Sequence, residues 1–171
     1  MKSENAAIHD ILRTDRDAIV DAWVAEFKAG STKAGSSLAP DARALLDALG
    51  AGLAADGDPS RFEGAAWSAL RDTLDSLSAT RAAQGSSSGE TSRFVLTLKK
   101  PVFDRLQQRF AADGITLASH LWWLSSLVDR AAQYTVDAYQ RSREDIIHRQ
   151  QQELLELSTP VVKLWDGVLA V

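Results

Sequence analysis

The chain has 171 residues, a net charge of −4 and 45% hydrophobic residues, enough for one domain with a sizeable core. The net negative charge gives no electrostatic footprint for nucleic acid. The absence of cysteine excludes disulfides, thiolate metal sites and a cysteine nucleophile. The N-terminus has no apolar signal segment, and no stretch reaches the roughly 18 apolar residues of a membrane span. The composition therefore predicts a soluble cytoplasmic domain with no membrane partner.

The first half of the chain is predicted to form three helices. Apolar residues at helical spacing predict the first over residues 6–29. Pro40 precedes the second, which is expected over about residues 41–55. The third is predicted to begin at Ser60, because Glu63 follows three positions later and the two can form a capping box.

The next helical segment contains a proline. Ser87 and Glu90 predict a second capping box at the start of residues 90–112. Pro101 falls inside this segment. Because proline removes one backbone hydrogen bond and clashes with the preceding turn, we expect a kink or two short helices.

The final helix is the longest. It starts near Thr116 and meets no breaker before Pro160. Forty-odd residues span roughly 60 Å, whereas a compact domain of this size has a radius of gyration of about 16 Å. Its last part, which is polar over residues 140–153, must therefore project from the domain. The pattern predicts an all-α helical bundle over residues 1–139 and a linker helix over residues 140–157.

The projecting helix carries a weak heptad pattern. A polar helix that leaves its domain is not stable alone and needs a partner or a docking surface. Ile147 and Leu154 are seven residues apart, as are Gln150 and Leu157. This two-heptad seam favours a parallel helix pair in a homodimer, and the alternative is a solvated helix with no partner. The predicted dimer-linker residues are Ile146, Ile147, Gln150, Leu154 and Leu157.

The last residues have a β pattern. After Ser158-Thr159-Pro160 come a strand pattern, an Asp166-Gly167 turn and the start of a second strand, where the chain ends. A lone hairpin is marginal in water. We therefore expect residues 158–171 to be the truncated start of a β-domain and to be extended, frayed or held by another chain.

Few residues point to chemistry. The three histidines have no metal-ligand spacing, and a Gly-rich phosphate loop is lacking, so we expect no enzyme and no metal site. Trp122 and Trp123 project about 100° apart around their helix, so one is expected to face the bundle and the other a dimer partner or a pocket. A pocket lined by Trp67, His120 and Trp123 is the sharper alternative to an ordinary core.

Two stretches resemble a known family. Residues 156–171, Glu-Leu-Ser-Thr-Pro-Val-Val-Lys-Leu-Trp-Asp-Gly-Val-Leu-Ala-Val, resemble the opening strands of the STAS domain in stressosome RsbR-type proteins, the RsbT co-antagonists. Residues 82–101 resemble the middle of the N-terminal domain of the RsbRD type. There a glycine, a Ser/Glu cap and a Phe-Val-x-x-Leu-Lys stretch recur together.

The resemblance implies a helical, bundle or globin-like dimer that senses an input and passes it through the linker helix to a STAS domain. That domain binds STAS scaffold proteins and a switch kinase, and its phosphorylated positions would lie beyond Val171. Some relatives bind haem, so the resemblance makes His120 a candidate axial ligand. A haem or small-molecule sensor is therefore the alternative function; otherwise no cofactor is expected.

Overall fold

The computed structural model describes residues 3–30 and 38–157, together with the backbone of residues 162–165 and 168–170. The described part confirms an all-α bundle with one long final helix. Two single turns of 3-10 helix, Pro59–Arg61 and Ala65–Trp67, lie before the fourth helix. The helices are α1 (Ser3–Thr14), α2 (Arg16–Ala29), α3 (Leu38–Ala54), α4 (Ser68–Ala83), α5 (Ser88–Thr97), α6 (Lys99–Phe110) and α7 (Gly114–Leu157), followed by the strands β1 (Val162–Trp165) and β2 (Val168–Ala170).

The core forms around the first half of α7. That helix packs against α4 and α5 above all, and also against α6 and α1, while α3 closes the bundle against α1, α2 and α4. Burying one large apolar side chain contributes roughly 1.5–3 kcal/mol. The largest fully buried side chains include Trp23, Trp67, Phe94, Leu53, Leu74 and Leu127.

The predicted single helix over residues 6–29 is wrong, because α1 and α2 are separate helices that meet at Asp15. Asp15 has φ −105° and ψ 21°, outside the helical range. Its amide still donates to the Ile11 carbonyl and its carbonyl still accepts from the Ile19 amide, each at 2.9 Å. The break lets α1 pack on α7 and α2 pack on α5, while both helices also pack on α3 and α6. A single straight helix could not reach both sets of neighbours.

α1 is part of the core, not an appendage. Ile8 is fully buried, and Ile11 and Leu12 are nearly so. Asn5 is also fully buried, and its amide nitrogen donates to the Asp56 carboxylate at 2.8 Å and to the Gly57 carbonyl at 3.1 Å. These bonds hold the start of the chain against the turn that follows α3.

The predicted helix start at Ser60 is also wrong, because α4 begins at Ser68. The carboxylate of Asp58 accepts from the Ser60 amide at 2.9 Å and from its hydroxyl at 2.8 Å. Ser60 therefore donates to Asp58 and does not cap a helix together with Glu63. Two tight turns follow instead of one helix, and they deliver Trp67 into the core.

Two glycines make room for Trp67. A Cβ at Gly52 would lie 2.3 Å from the indole, and one at Gly57 would lie 2.6 Å from it. Both distances are far below van der Waals contact, so only glycine fits at either position. The indole N–H donates to the Asp58 carbonyl at 3.0 Å.

The second half of the chain follows the sequence closely. Ser87 and Glu90 form the predicted capping box: the Glu90 amide donates to the Ser87 hydroxyl at 3.2 Å, and the Ser87 amide donates to the Glu90 carboxylate at 3.1 Å. The proline-containing segment is divided into α5 and α6, and Pro101 lies in the first turn of α6. Proline is tolerated there because the amides of a first turn have no partner within the helix.

Aromatic stacking, a cation–π contact and an ion pair join four helices, α2, α3, α4 and α5. The Trp23 indole stacks on Phe94 with ring centroids 4.7 Å apart, and its N–H donates to the Phe94 carbonyl at 2.7 Å. The guanidinium of buried Arg81 lies 4.5 Å from the Phe94 centroid and 3.1 Å from the Asp41 carboxylate. A cation over an aromatic face is attracted by the ring quadrupole, most strongly when it is desolvated.

The long helix and the hairpin complete the described chain. α7 runs for 44 residues without a break, as predicted. β1 and β2 pair antiparallel, with Val162 opposite Ala170 and Lys163 opposite Leu169. The two strands form a lone hairpin, and the expectation that residues 158–171 do not form a STAS-type sheet by themselves stays a prediction. The Ser158-Thr159-Pro160 junction and the Asp166-Gly167 turn lie outside the described residues.

Candidate functional site

The feature with the clearest functional meaning is the point where α7 leaves the bundle. Ala138 and Tyr139 are its last buried residues. From residue 140 to 155 the side chains are exposed, apart from half-buried Ser142 and Ile146. The predicted linker helix is thus continuous with a core helix, and the contacts around residue 139 determine how it leaves the bundle.

A polar cluster connects α4 to α7 at this exit. The Tyr134 hydroxyl donates to the Asp75 carboxylate at 2.9 Å, and the Arg141 guanidinium donates to it at 3.2 Å. Arg141 also lies over the Tyr134 ring, 5.3 Å from its centroid. Partial burial, and then the Asp75 carboxylate, raise the pKa of Tyr134. The Asp75 and Arg141 side chains are each about half exposed, and an ion pair of that kind contributes only about 0–1 kcal/mol.

A second contact lies on the adjacent side of the exit. The Tyr139 hydroxyl donates to the Ser86 carbonyl at 2.7 Å. Ser86 follows Gly85, whose φ of +77° turns the chain between α4 and α5. A cleft of about 370 Å³ opens just beyond this bond, and Ala82, Gly85, Tyr139, Arg143, Ile146, Ile147 and Gln150 line it. The base of the linker helix therefore rests on the α4–α5 corner.

Buried hydroxyls lie beneath these surface contacts. Ser78 on α4 and Thr135 on α7 are both fully buried. The Ser78 hydroxyl donates to the Thr135 carbonyl at 3.3 Å, and the Thr135 hydroxyl donates to the Ala132 carbonyl at 2.6 Å. The Ser78–Thr135 bond thus joins α7 to α4, whereas the Thr135–Ala132 bond lies within α7.

The predicted linker residues differ in their exposure. The side chains of Ile147 and Leu154 are 46% and 68% exposed. Ile146 is half-buried on the side of the α4–α5 corner, and Gln150 is exposed. Leu157 ends α7, and its side chain lies outside the described residues.

The predicted pocket residues separate into two groups. The Trp67 and Trp123 rings are in contact, with centroids 6.5 Å apart, whereas Trp122 is 77% exposed. One tryptophan of the adjacent pair therefore faces the bundle, as predicted. His120 is buried and stacks on Phe110 instead, with centroids 4.6 Å apart.

The surroundings of His120 do not favour a haem site. Its Nδ1 lies 2.6 Å from the Thr116 carbonyl, which makes Nδ1 the protonated nitrogen. A porphyrin would need open space beside Nε2, but this ring is 3% exposed and packed on Phe110. The clefts at His9, Phe62, Pro59 and Ile146 are lined by other residues. These surroundings give no support to His120 as an axial haem ligand.

Within the described residues, no group of three His, Asp or Glu side chains is arranged to hold a metal ion. The helices described here include none that is long and apolar enough to cross a membrane.

Comparison with known proteins identifies the family. The RsbT co-antagonist protein rsbRD N-terminal domain matches residues 17–154, which include α2 to α6 and nearly all of α7. No curated protein and no solved structure matches the chain. The family is regulatory rather than catalytic. With four-fifths of its residues matched, the chain belongs to the rsbRD N-terminal domain family of stressosome RsbR-type regulators.

Proposed function

We propose that this bundle is a non-enzymatic sensor of a cytoplasmic stressosome, and that α7 relays its state to a STAS domain beginning in residues 158–171. The STAS domain would engage STAS scaffold proteins and a switch kinase, and two copies of the chain would act together as a homodimer. Family membership supports the regulatory role.

One observation carries the relay. α7 is a single helix from the core to residue 157, so a rotation or shift of its buried half must move its exposed half. The exit is held by the Tyr139–Ser86 hydrogen bond and by the cluster of Asp75, Tyr134 and Arg141. These contacts are weak enough for an input to overcome. A ligand or partner can bias a two-state element when the free energies of the two states differ by only a few kcal/mol.

The projecting segment would pair with its counterpart in the second copy. Ile147, Gln150, Leu154 and Leu157 form its seam, and polar positions keep the pairing marginal. A marginal helix pair can change its register or separate at low cost. The two STAS domains would then be repositioned relative to each other.

The test uses the chain extended with a complete STAS domain and expressed in cells, with stress signalling as the readout. Tyr139→Phe and Arg141→Met remove contacts at the exit and should change the basal output. Arg149→Met, further along the exposed helix, is the matched control and should leave it unchanged. Deletion of residues 1–135 tests the sensor itself: unaltered signalling without the bundle would make it a passive spacer and would contradict the relay.

A further inference from the structure

An open groove lies between α7 and the 3-10 turn Pro59–Arg61. It consists of two clefts, of about 230 and 440 Å³, which share Ser60, Arg130 and Gln133 as lining residues. Sites for small ligands usually have volumes of about 300–1,000 Å³, so the groove is large enough for one. The α7 residues that line it, within residues 126–137, recur at helical spacing and therefore lie on one face of the helix.

Two arginines without a partner line this groove. In the described part of residues 3–139, the arginines that pair with a carboxylate are Arg13, Arg16, Arg43, Arg71, Arg81, Arg105 and Arg109. Arg93 donates instead to the Gly30 carbonyl and lies over the Phe27 ring. Within that described part, only the side chains of Arg61 and Arg130 have no hydrogen bond, ion pair or ring contact. Both line the same cleft.

These two side chains are suited to bind an anion. A guanidinium presents planar N–H donors that match a carboxylate or a phosphate in two parallel hydrogen bonds. Arg61 belongs to the turn and Arg130 to α7, so they line the groove from two separate elements. Gln133 adds a side-chain amide that has no partner among the described residues. An anion held by both arginines would therefore connect the turn to α7.

Nearby carboxylates do not cancel this positive charge. The carboxylate of Asp129 is already ion-paired at 2.6 Å, and that of Glu63 lies 3.8 Å from the Arg71 guanidinium. Asp137 follows Arg130 by seven residues, which places it about 10 Å further along α7. The middle of the groove is therefore a place where an anion is favoured, although the chain as a whole has a net charge of −4.

The floor of the groove is aromatic and reaches the exit of α7. Phe62 is buried, and its ring centroid lies 5.8 Å from that of Tyr134. Tyr134 is half-buried, so part of its ring is open to the groove. Its hydroxyl donates to Asp75, within the cluster that holds the exit. A ligand in the groove would thus contact a residue that also fixes the direction of the linker helix.

We propose that this groove binds a small anionic ligand, in which a carboxylate or phosphate group is joined to an aromatic or other apolar body. Arg61 and Arg130 would hold the anionic group, and the body would cover the Tyr134 ring. The inference rests on the proposed function in one respect, since it makes the groove the place where the sensor receives its input. Binding would change the contact of Tyr134 with Asp75, and through it the restraint on the linker helix.

Thermal unfolding of the full chain tests the binding. Phenyl phosphate and benzoate are the probes, and inorganic phosphate and benzyl alcohol, which each lack one half of the ligand, are controls at equal ionic strength. At ten times Kd, a probe should raise the unfolding temperature of a chain of this length by roughly 3–6 °C. Each control should give less than half of that shift. No shift with either probe at about 20 mM, far above a millimolar Kd, would overturn the proposal. So would an equal shift with inorganic phosphate or benzyl alcohol.

Arg61→Gln and Arg130→Gln test where the probe binds. Both side chains are exposed and have no partner among the described residues, so neither substitution should change the unfolding temperature of the protein alone. Each should weaken the binding of phenyl phosphate about ten-fold or more. Arg149→Gln, on the exposed part of α7, is the matched control and should bind like the wild type. Equal binding by all three variants would place the ligand elsewhere and overturn the proposal.

Amide hydrogen exchange tests the groove as an input separately from the relay. Saturating phenyl phosphate should change the exchange rates over residues 140–150 in the wild type, and it should leave them unchanged in Arg130→Gln. Binding without this change would overturn the groove as the input and would leave the relay intact. The relay itself is tested in cells by Tyr139→Phe, and its failure there would not alter the binding result.

Discussion

The Tyr139 hydroxyl and the Ser86 carbonyl oxygen lie 2.7 Å apart, where the long helix leaves the bundle. Removing the hydroxyl with Tyr139→Phe keeps the ring and loses the bond. We expect a loss of about 1 kcal/mol in the free energy of unfolding, the usual value of such a bond. Urea denaturation measures it. Amide exchange over residues 140–150 should also become faster, because the base of the linker is less restrained. Unchanged exchange there would mean that this bond does not restrain the exit.

Two glycines in one helix should respond in opposite ways to alanine. Gly52→Ala would place a Cβ 2.3 Å from the Trp67 ring, and we expect a cost of about 1–3 kcal/mol from overpacking. Gly50→Ala is the matched control, because its Cβ would meet the His9 side chain only at 3.9 Å. Alanine is the better helix former, so this change should stabilise by roughly 0.5–1 kcal/mol. Thermal or urea unfolding measures both, and equal effects would contradict the close approach at Trp67.

Substitutions of Arg81 and Arg93 by methionine form a second matched comparison. Each guanidinium carbon lies 4.5 Å from a phenyl centroid, over Phe94 and Phe27 respectively. Arg81 is buried and paired with Asp41, whereas Arg93 is more exposed. Arg81→Met should therefore cost about 2 kcal/mol, because a partly buried charge loses its partner. Arg93→Met should cost less than about 1 kcal/mol. Similar losses in urea denaturation would show that burial does not determine the strength of these contacts.

Acid should destabilise the start of α7. The hydroxyl of Thr116 and then its amide lower the pKa of Asp113 below its ordinary value of 3.8. Hydrogen bonds from Arg109 and Arg13 likewise lower the pKa of Asp10. A carboxyl group whose folded pKa is depressed contributes stability above its unfolded pKa and loses it as pH falls through the folded value. Both contributions should therefore be complete at neutral pH and be lost below about pH 4.

The control for this prediction is Asp113→Asn, which can still cap a helix but does not titrate. It should unfold like the wild type at neutral pH. Between about pH 5 and pH 3 its stability should fall less steeply than that of the wild type. Equal slopes would show that Asp113 makes no contribution to the acid sensitivity.

Features that depend on residues within one helical turn were predicted better than features that depend on residues far apart in the sequence. The Ser87–Glu90 capping box and the division around Pro101 depend on residues within one turn, and both are present. The similar signal at Ser60 and Glu63 failed because Asp58 takes the Ser60 donors. The break at Asp15 carries no glycine or proline, and it results from the packing of α1 and α2 on different neighbours.

The exit of α7 also depends on contacts that local sequence signals cannot predict. The change from apolar to polar residues after 139 predicts a linker helix that begins there, and this boundary stays a prediction. The contacts at that place could not be predicted, because Asp75 and Arg141 are 66 residues apart and Tyr139 and Ser86 are 53 apart. Such pairs form only once α4 and α7 have packed. Exposure of Trp122 and partial burial of Trp123 likewise depend on which side of α7 meets Trp67.

The docking of α1 has a practical consequence for the family boundary. The matched region begins at residue 17, one residue into α2, and leaves out the whole of α1. A protein trimmed to that boundary would lose the buried side chains of Ile8 and Ile11 and the Asn5 bonds to the turn after α3. It would expose an apolar groove along α3 and α7, and it should aggregate and fold poorly. The useful unit for expression and crystallisation is therefore longer at its N-terminus than the matched region.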